Sequence, residues 1–270
     1  MIGQKGLLMD IDRVIERYPH FSIIVGDKGC GKRTICKEII NKLSVTPLYF
    51  DTSIDSIRGM IDLAYTQVKP IAFIIPDADN MSISAKNSML KITEEPPKNV
   101  YIILTLQNLD NTLNTIKSRG TVFHLDNYTK TELIEYRVFR GYNADNDNII
   151  RLACDTTGEV DELFSYNVKD FYNFANQIAN YIHVPTSGNT FKITKSMKLK
   201  DTDSGFTPIL LLKMVSQIFI EKAKETRKKQ YLEACMCTQK YIKDLRISTL
   251  NKLSIIDMWI IDVRSCLRGI

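Results

Sequence analysis

The sequence has no apolar run approaching the roughly 20 residues a membrane helix needs. Its longest candidate, Pro208–Ile220, is interrupted by Lys213, Ser216 and Gln217. The opening stretch MIGQKGLLMDIDRVIERYPH lacks the basic start and apolar centre of a secretory signal. Six cysteines (Cys30, Cys36, Cys154, Cys235, Cys237, Cys266) form no C-x-x-C pair and no zinc-like spacing. Cys235 and Cys237 alternate on a helical stretch and so point apart, which makes them packing residues. His20, His124 and His183 are too dispersed for a metal centre or a catalytic triad. No repeat of fixed period is present. These absences lead us to expect a cytoplasmic protein with reduced thiols, no zinc and no membrane contact.

What is present is ordinary in bulk and particular in detail. Of the 270 residues, 44% are hydrophobic and 25% charged, as in soluble globular proteins long enough for one large domain or two to three smaller ones. A net charge of +5 permits a nucleic-acid or acidic partner without requiring one. The basic excess is densest over residues 192–252, where Lys+Arg number 14 against 6 Asp+Glu, including Arg227-Lys228-Lys229. Such runs are most simply solvated faces, the alternative being contact with DNA phosphate or an acidic protein surface.

The stretch Gly26-Asp27-Lys28-Gly29-Cys30-Gly31-Lys32-Arg33-Thr34 satisfies the phosphate-loop spacing G-x-x-x-x-G-K. In such a loop backbone amides turn around phosphate oxygens and the lysine reaches the β and γ phosphates. A strand-like run, Phe21–Val25, enters it and an amphipathic stretch, Arg33–Leu43, leaves it, so a helix N-terminus would face the anion. The hydroxyl that should follow the lysine and hold Mg²⁺ is replaced by Arg33. Thr34 comes one place late, turned by about 100° on a helix. A second candidate site ends the apolar run Ile71–Ile75. There, Mg²⁺-holding and water-activating carboxylates are expected in hydrolytic relatives, but Pro76 and Asp77 stand in those slots.

Strand-like runs at Phe21–Val25, Pro47–Phe50, Ile71–Ile75, Val100–Leu104 and Thr121–His124, most of them continuous apolar blocks, predict five strands with the pattern of a parallel sheet buried on both faces. Helical patterns at Ile54–Val68 and Ser84–Thr93 separate them, an α/β arrangement with its ligand at the carboxyl ends of the strands. Beyond His124 the chain reads as helical. Thr129–Phe139 carries Thr129 as N-cap and Glu132 three places on, followed by Asp147–Cys154, Glu159–Tyr166 and Val168–Ile182. A loop is expected over His183–Gly205, then helices over Thr207–Glu225, Lys228–Leu245 and Lys252–Leu267.

The segments GDKGCGKRT, IIPDADNMSISAKNSMLKITEEPP and VYIILTLQNLDNTLNTIKSRG, with MIGQ at the start and the terminal helices, resemble the clamp-loader subunits of the AAA+ ATPases. The likeness is greatest to the delta-prime subunits of bacterial DNA polymerase III. It spans nearly all of Met1–Leu267 and is strongest over Gly26–Arg119; NSMLKITEEPP (Asn87–Pro97) is its most specific part.

The resemblance implies an AAA+ α/β domain with a five-stranded parallel sheet over 1–125, a small helical lid over 126–167, and a helical collar over 168–270. It implies an arginine finger at Arg119, in Ser118-Arg119-Gly120 where the family has Ser-Arg-Cys, acting on a neighbouring subunit's ATP. Gln107 falls on the first sensor position. The second, an arginine in the family, falls at or near Asp161, where a carboxylate would repel a triphosphate. The degenerate nucleotide site would comprise Gly26, Gly29, Gly31, Lys32, Arg33, Thr34, Asp77 and Gln107. It would take at most ATP or ADP without well-held Mg²⁺, and no intrinsic hydrolysis is expected. The zinc-binding cysteines often inserted after the phosphate loop have no room between Leu43 and Leu48. Implied partners are other clamp-loader subunits of the delta and gamma/tau types, the sliding clamp and primer–template DNA. Two other readings stay open: an active ATPase (a loader motor or a helicase-loader relative), and a nucleotide-binding switch without hydrolysis.

Overall fold

The computed structural model describes residues 2–182, 205–246 and 250–268, with residues 184 and 193. The loop expected over His183–Gly205 lies almost wholly outside the described residues. Two compact units emerge, one of Met1–Tyr128 with Thr156–Gly158, the other of Thr129–Asp155 with Glu159–Ile270. The first closes near the boundary expected at 125. The second holds both the helices expected as a lid and those expected as a collar.

In the first unit, β1 (Phe21–Val25), β2 (Thr46–Tyr49), β3 (Ile71–Ile75), β4 (Val100–Leu106) and β5 (Thr121–His124) form one sheet in the order β2-β3-β4-β1-β5. Every pairing is parallel. The alternation of strand side chains explains why β1, β3 and β4 read as apolar runs. The edge strands β2 and β5 are largely exposed, contrary to expectation, because each has a neighbour on one side only. Phe21, Ile23, Val25, Phe73, Ile75, Ile102 and Leu104 pack on one face, and Ile24, Ala72, Ile74 and Ile103 on the other. Helices α1 (Lys5–Val14) and α2 (Lys32–Leu43) cover the second face through Leu7, Ile11, Ile35 and Ile39. The first face is covered by α3 (Ile54–Ala64), α4 (Ile83–Ser88), α5 (Leu90–Glu94) and α6 (Asn114–Lys117), through Ile57, Met60, Ala85, Ile92 and Ile116.

Two helices differ from expectation. The pattern through Val68 stops at Ala64 because the Thr66 hydroxyl (2.8 Å) and the Gln67 amide (3.0 Å) both donate to the Leu63 carbonyl. The single helix expected over Ser84–Thr93 divides at the fully buried Met89, whose N–H turns back to the Lys86 carbonyl at 3.2 Å.

The second unit begins with α7 (Lys130–Phe139), closed by the full Thr129/Glu132 capping box. It continues through α8 (Asp147–Ala153), α9 (Thr157–Phe164, from Glu159 onward) and α10 (Val168–Tyr181). The long helices α11 (Pro208–Thr226), α12 (Lys229–Leu245) and α13 (Lys252–Arg268) complete it. The fully buried Trp259 of α13 donates its indole N–H to Thr238 of α12 at 3.1 Å, so the ring's polar atom is satisfied within the core.

Lys213 of α11 is 7% exposed and pairs with Asp155 (2.7 Å) and Glu159 (2.5 Å). Burial raises the Asp155 carboxyl, but bonds from Lys130 and Lys213 outweigh it and hold the group below its usual range. Its stabilisation is therefore present above the unfolded aspartate pKa, about 3.9, and drains away as pH falls.

Two predictions follow from this packing. Lys213→Met should cost about 1–2 kcal/mol at pH 7, because it takes a cation from the largely covered Glu159 carboxylate while the exposed Asp155 keeps Lys130. The cost should shrink toward pH 4, as read from urea midpoints across that range. Gly59 is exposed in mid-α3, and an added Cβ would meet nothing within 4 Å. Gly59→Ala should therefore raise stability by about 0.5–1 kcal/mol, and a lower urea midpoint would contradict the helix.

Candidate phosphate loop and arginine finger

Strand β1 delivers the chain into the loop at Gly26, whose N–H donates to the Leu106 carbonyl at 3.1 Å, so the loop starts from the carboxyl end of the sheet. Gly29 (φ +81°) and Gly31 (φ +98°) take left-handed conformations, which side chains resist. Gly31 then caps α2. The local geometry is thus that of a phosphate cradle.

Its groups are nevertheless turned on the chain itself. The Lys32 ammonium, on a residue only 8% exposed, donates to the Gly26 carbonyl at 2.7 Å and the Asp27 carbonyl at 3.0 Å. The Gly29 carbonyl accepts from the Gly158 N–H at 2.9 Å and the Thr157 hydroxyl at 3.0 Å. The Tyr128 hydroxyl donates to the Cys30 carbonyl at 3.0 Å. Gly29 and Gly158 meet backbone to backbone, since a Cβ on Gly158 would fall 2.6 Å from the Gly29 Cα. Arg33 and Thr34 are both exposed, and neither supplies the hydroxyl that would follow the lysine onto a metal. With Arg33 at the position after the lysine, the donor set does not suit a magnesium–nucleotide complex. Among the described residues, no group of three or more His, Cys, Asp or Glu side chains could hold a metal ion.

At the end of β3, Asp77 sits at φ +50° and its N–H donates to the buried Thr105 hydroxyl at 3.1 Å. Aspartate tolerates the left-handed region better than most residues, which accounts for its presence after Pro76. The carboxylate with the larger structural task is Asp79. It accepts from the N–H groups of Gln107 (2.7 Å) and Asn108 (3.1 Å) and from the Asn111 amide (3.1 Å). Gln107, the first-sensor position, is exposed and is held by its backbone.

Arg119 follows α6. Its Nη1 donates to the Thr115 carbonyl at 2.5 Å and its Nη2 to the Glu94 carboxylate at 3.0 Å. Its side chain keeps 26% of its exposure. The residues that grip it are distinct from those that close the phosphate loop. Gly120, where a cysteine was expected, is packed so tightly that a Cβ would lie 2.9 Å from both Ile23 and Phe21.

Residues 51–129 match the family described as DNA polymerase III, delta subunit. The chain is 23% identical over 227 residues to the DNA polymerase III subunit gamma of Buchnera aphidicola (Schizaphis graminum). That alignment covers 78% of the chain and 62% of the relative, so the chain spans under two thirds of that protein's length. It is 25% identical over 126 residues to the sliding-clamp-loader large subunit of Escherichia phage RB69, covering 44% of the chain and 39% of the phage protein. Among solved structures it is similar to a DNA polymerase III gamma subunit-related protein from Thermotoga maritima, with TM-score 0.53 and 16% identity. There the match covers 97% of this chain and 100% of the other.

The chain is thus similar to clamp-loader subunits of DNA polymerase III.

Asp161, expected at or near a second sensor, is a hub of the second unit. It accepts from the Tyr136 hydroxyl (2.7 Å), the Arg140 Nε (2.9 Å) and the Tyr142 hydroxyl (2.9 Å). The Tyr136 phenol is pushed up, by burial first and by its bond to Asp161 second.

Sequence reasoning passed over Asp79, Glu94, Tyr128 and the pairing of Gln4 with Asp126. The Gln4 amide donates to the Asp126 carbonyl at 2.7 Å and accepts from its N–H at 2.8 Å. A near-buried glutamine in a clamp-loader sequence is visible only as the last letter of MIGQ, and nothing local marks its partner.

The glycine contact over the loop is directly testable. Gly158→Ala forces a methyl onto the Gly29 backbone, an overpacking expected to cost about 1–3 kcal/mol. An unchanged urea midpoint would mean that Gly29 and Gly158 are not in contact in solution.

Proposed function

We propose that the chain works in a DNA polymerase III clamp loader as a delta-prime-like, non-hydrolysing subunit. It helps an assembly of related subunits place a sliding clamp on primer–template DNA, and it lends Arg119 to a neighbour's ATP. The observation that carries this reading is the contrast between two sites in one unit. The phosphate loop spends Lys32 and the Gly29 carbonyl on its own chain, whereas Arg119 remains partly exposed at the end of α6. A guanidinium presented to another subunit's γ-phosphate stabilises the charge that develops during transfer, a contribution of orders of magnitude in other phosphoryl-transfer systems.

A motor role is disfavoured by Arg33 at the metal-hydroxyl position and Pro76 at the metal-carboxylate position. A nucleotide switch would rest on Lys28, Lys32 and Arg33, and Lys32 is already engaged. Exposed apolar side chains on the outer surfaces of α12 and α13, among them Met236 (73%), Met258 (56%) and Ile261 (60%), suit the subunit contacts of a collar.

Arg119→Ala should lower DNA-stimulated ATP turnover by roughly tenfold or more in a loader reconstituted with wild-type partners. Unchanged turnover would remove the trans role.

A further inference from the structure

We infer that Glu94 is a positioning residue for Arg119, pre-orienting the guanidinium for an anion on another subunit. The inference rests on the reading of Arg119 given above and adds a residue to it.

Glu94 is the final residue of α5, a short helix anchored by Ile92, which is fully buried, and Thr93. Glu95 follows as the C-cap, and Pro96 and Pro97 beyond it stop any continuation. The carboxylate is thus held on a fixed stub beside α6, which Ile116 pins to the core. The approach to α6 is fixed independently. Asp79 binds the N–H groups of Gln107 and Asn108 and the Asn111 side chain. The Lys86 ammonium, on a residue 7% exposed, donates to the Asn111 carbonyl at 2.5 Å. Lys117 of α6 reaches Asp110 at 3.2 Å. With the backbone set, the only freedom left to Arg119 is that of its own long side chain.

Two contacts restrict that freedom. The Thr115 carbonyl, one turn back, fixes Nη1 relative to α6, and Glu94 fixes Nη2 from outside the helix. The guanidinium carries five N–H groups, and its Nε is buried with no acceptor among the described residues. Of the four N–H bonds on its Nη atoms, two are used on Thr115 and Glu94, which leaves the other two of this partly exposed head for a further anion. Glu94 itself is 60% exposed, and an ion pair of that kind is weak and easily exchanged. A phosphate bearing more charge can displace it or share it at small cost. The pair supplies orientation without a trap.

The test is steady-state ATP turnover by a loader reconstituted from full-length chains, with primed DNA and sliding clamp. It compares wild type, Glu94→Ala, Glu94→Gln, Arg119→Ala and the Arg119/Glu94 double alanine variant. Glu94→Ala should lower kcat about two- to fivefold, the range an exposed ion pair commands, with KM for ATP and the melting temperature unchanged. Glu94→Gln keeps a hydrogen-bond acceptor and should recover at least half of the loss. The double variant should match Arg119→Ala, since the glutamate acts only through the arginine. A wild-type kcat in Glu94→Ala alongside a fall in Arg119→Ala would overturn this inference and leave the finger standing. A higher kcat in Glu94→Ala would also overturn it, making the pair a restraint. No loss in Arg119→Ala would overturn the underlying reading as well. If Glu94→Ala fails to assemble, Glu94→Gln alone decides, because a wild-type kcat with the wild-type salt dependence contradicts an ion-pair role.

Discussion

The close approach of Gly29 and Gly158 is the constraint on which the nucleotide-site argument turns. Two backbones meet where a single methyl would lie 2.6 Å from a Cα atom, and the Gly29 carbonyl is paired twice at that contact. The loop has the glycines, the left-handed turns and the helix N-terminus of a phosphate cradle. Its lysine and its Gly29 carbonyl nevertheless point into the protein's own chain. A cradle of this shape retains the fold's scaffold, with Lys32 and the Gly29 carbonyl paired within the chain.

The opposite edge of the same unit follows another logic. There carboxylates organise backbone instead of metal. Asp79 gathers the turn after β4, and Glu94 meets the guanidinium at the end of α6. The acidic strand end after β3 holds backbone, through Asp79 and the Asp77 N–H. The parallel sheet connects the two regions, because its carboxyl ends present both the phosphate loop after β1 and the Asp77–Asp79 turn after β3.

Much of this was legible in the sequence, and the parts that were not have physical reasons. Strand runs such as Ile71–Ile75 were readable because both faces of the sheet are covered, which removes polar residues from the run. The capping box at Thr129 was readable because both partners lie within one turn. Helix ends decided by competing hydrogen bonds, as at Leu63, were not readable, nor was the break at Met89. Long-range polar pairs such as Gln4 with Asp126, or Asp79 with the turn after β4, leave no periodic trace. Asp161 shows the limit of argument by position. Its expected place near a sensor says nothing of its three donors, from Tyr136, Arg140 and Tyr142, which could be seen only once the helices were packed.

The most direct measurement of the central claim is calorimetric titration of the purified chain with ATP, with and without Mg²⁺. The closed loop predicts no magnesium-dependent heat of binding, and the same trace for Lys32→Ala as for wild type. Saturable binding that requires Mg²⁺ and disappears in Lys32→Ala would contradict it.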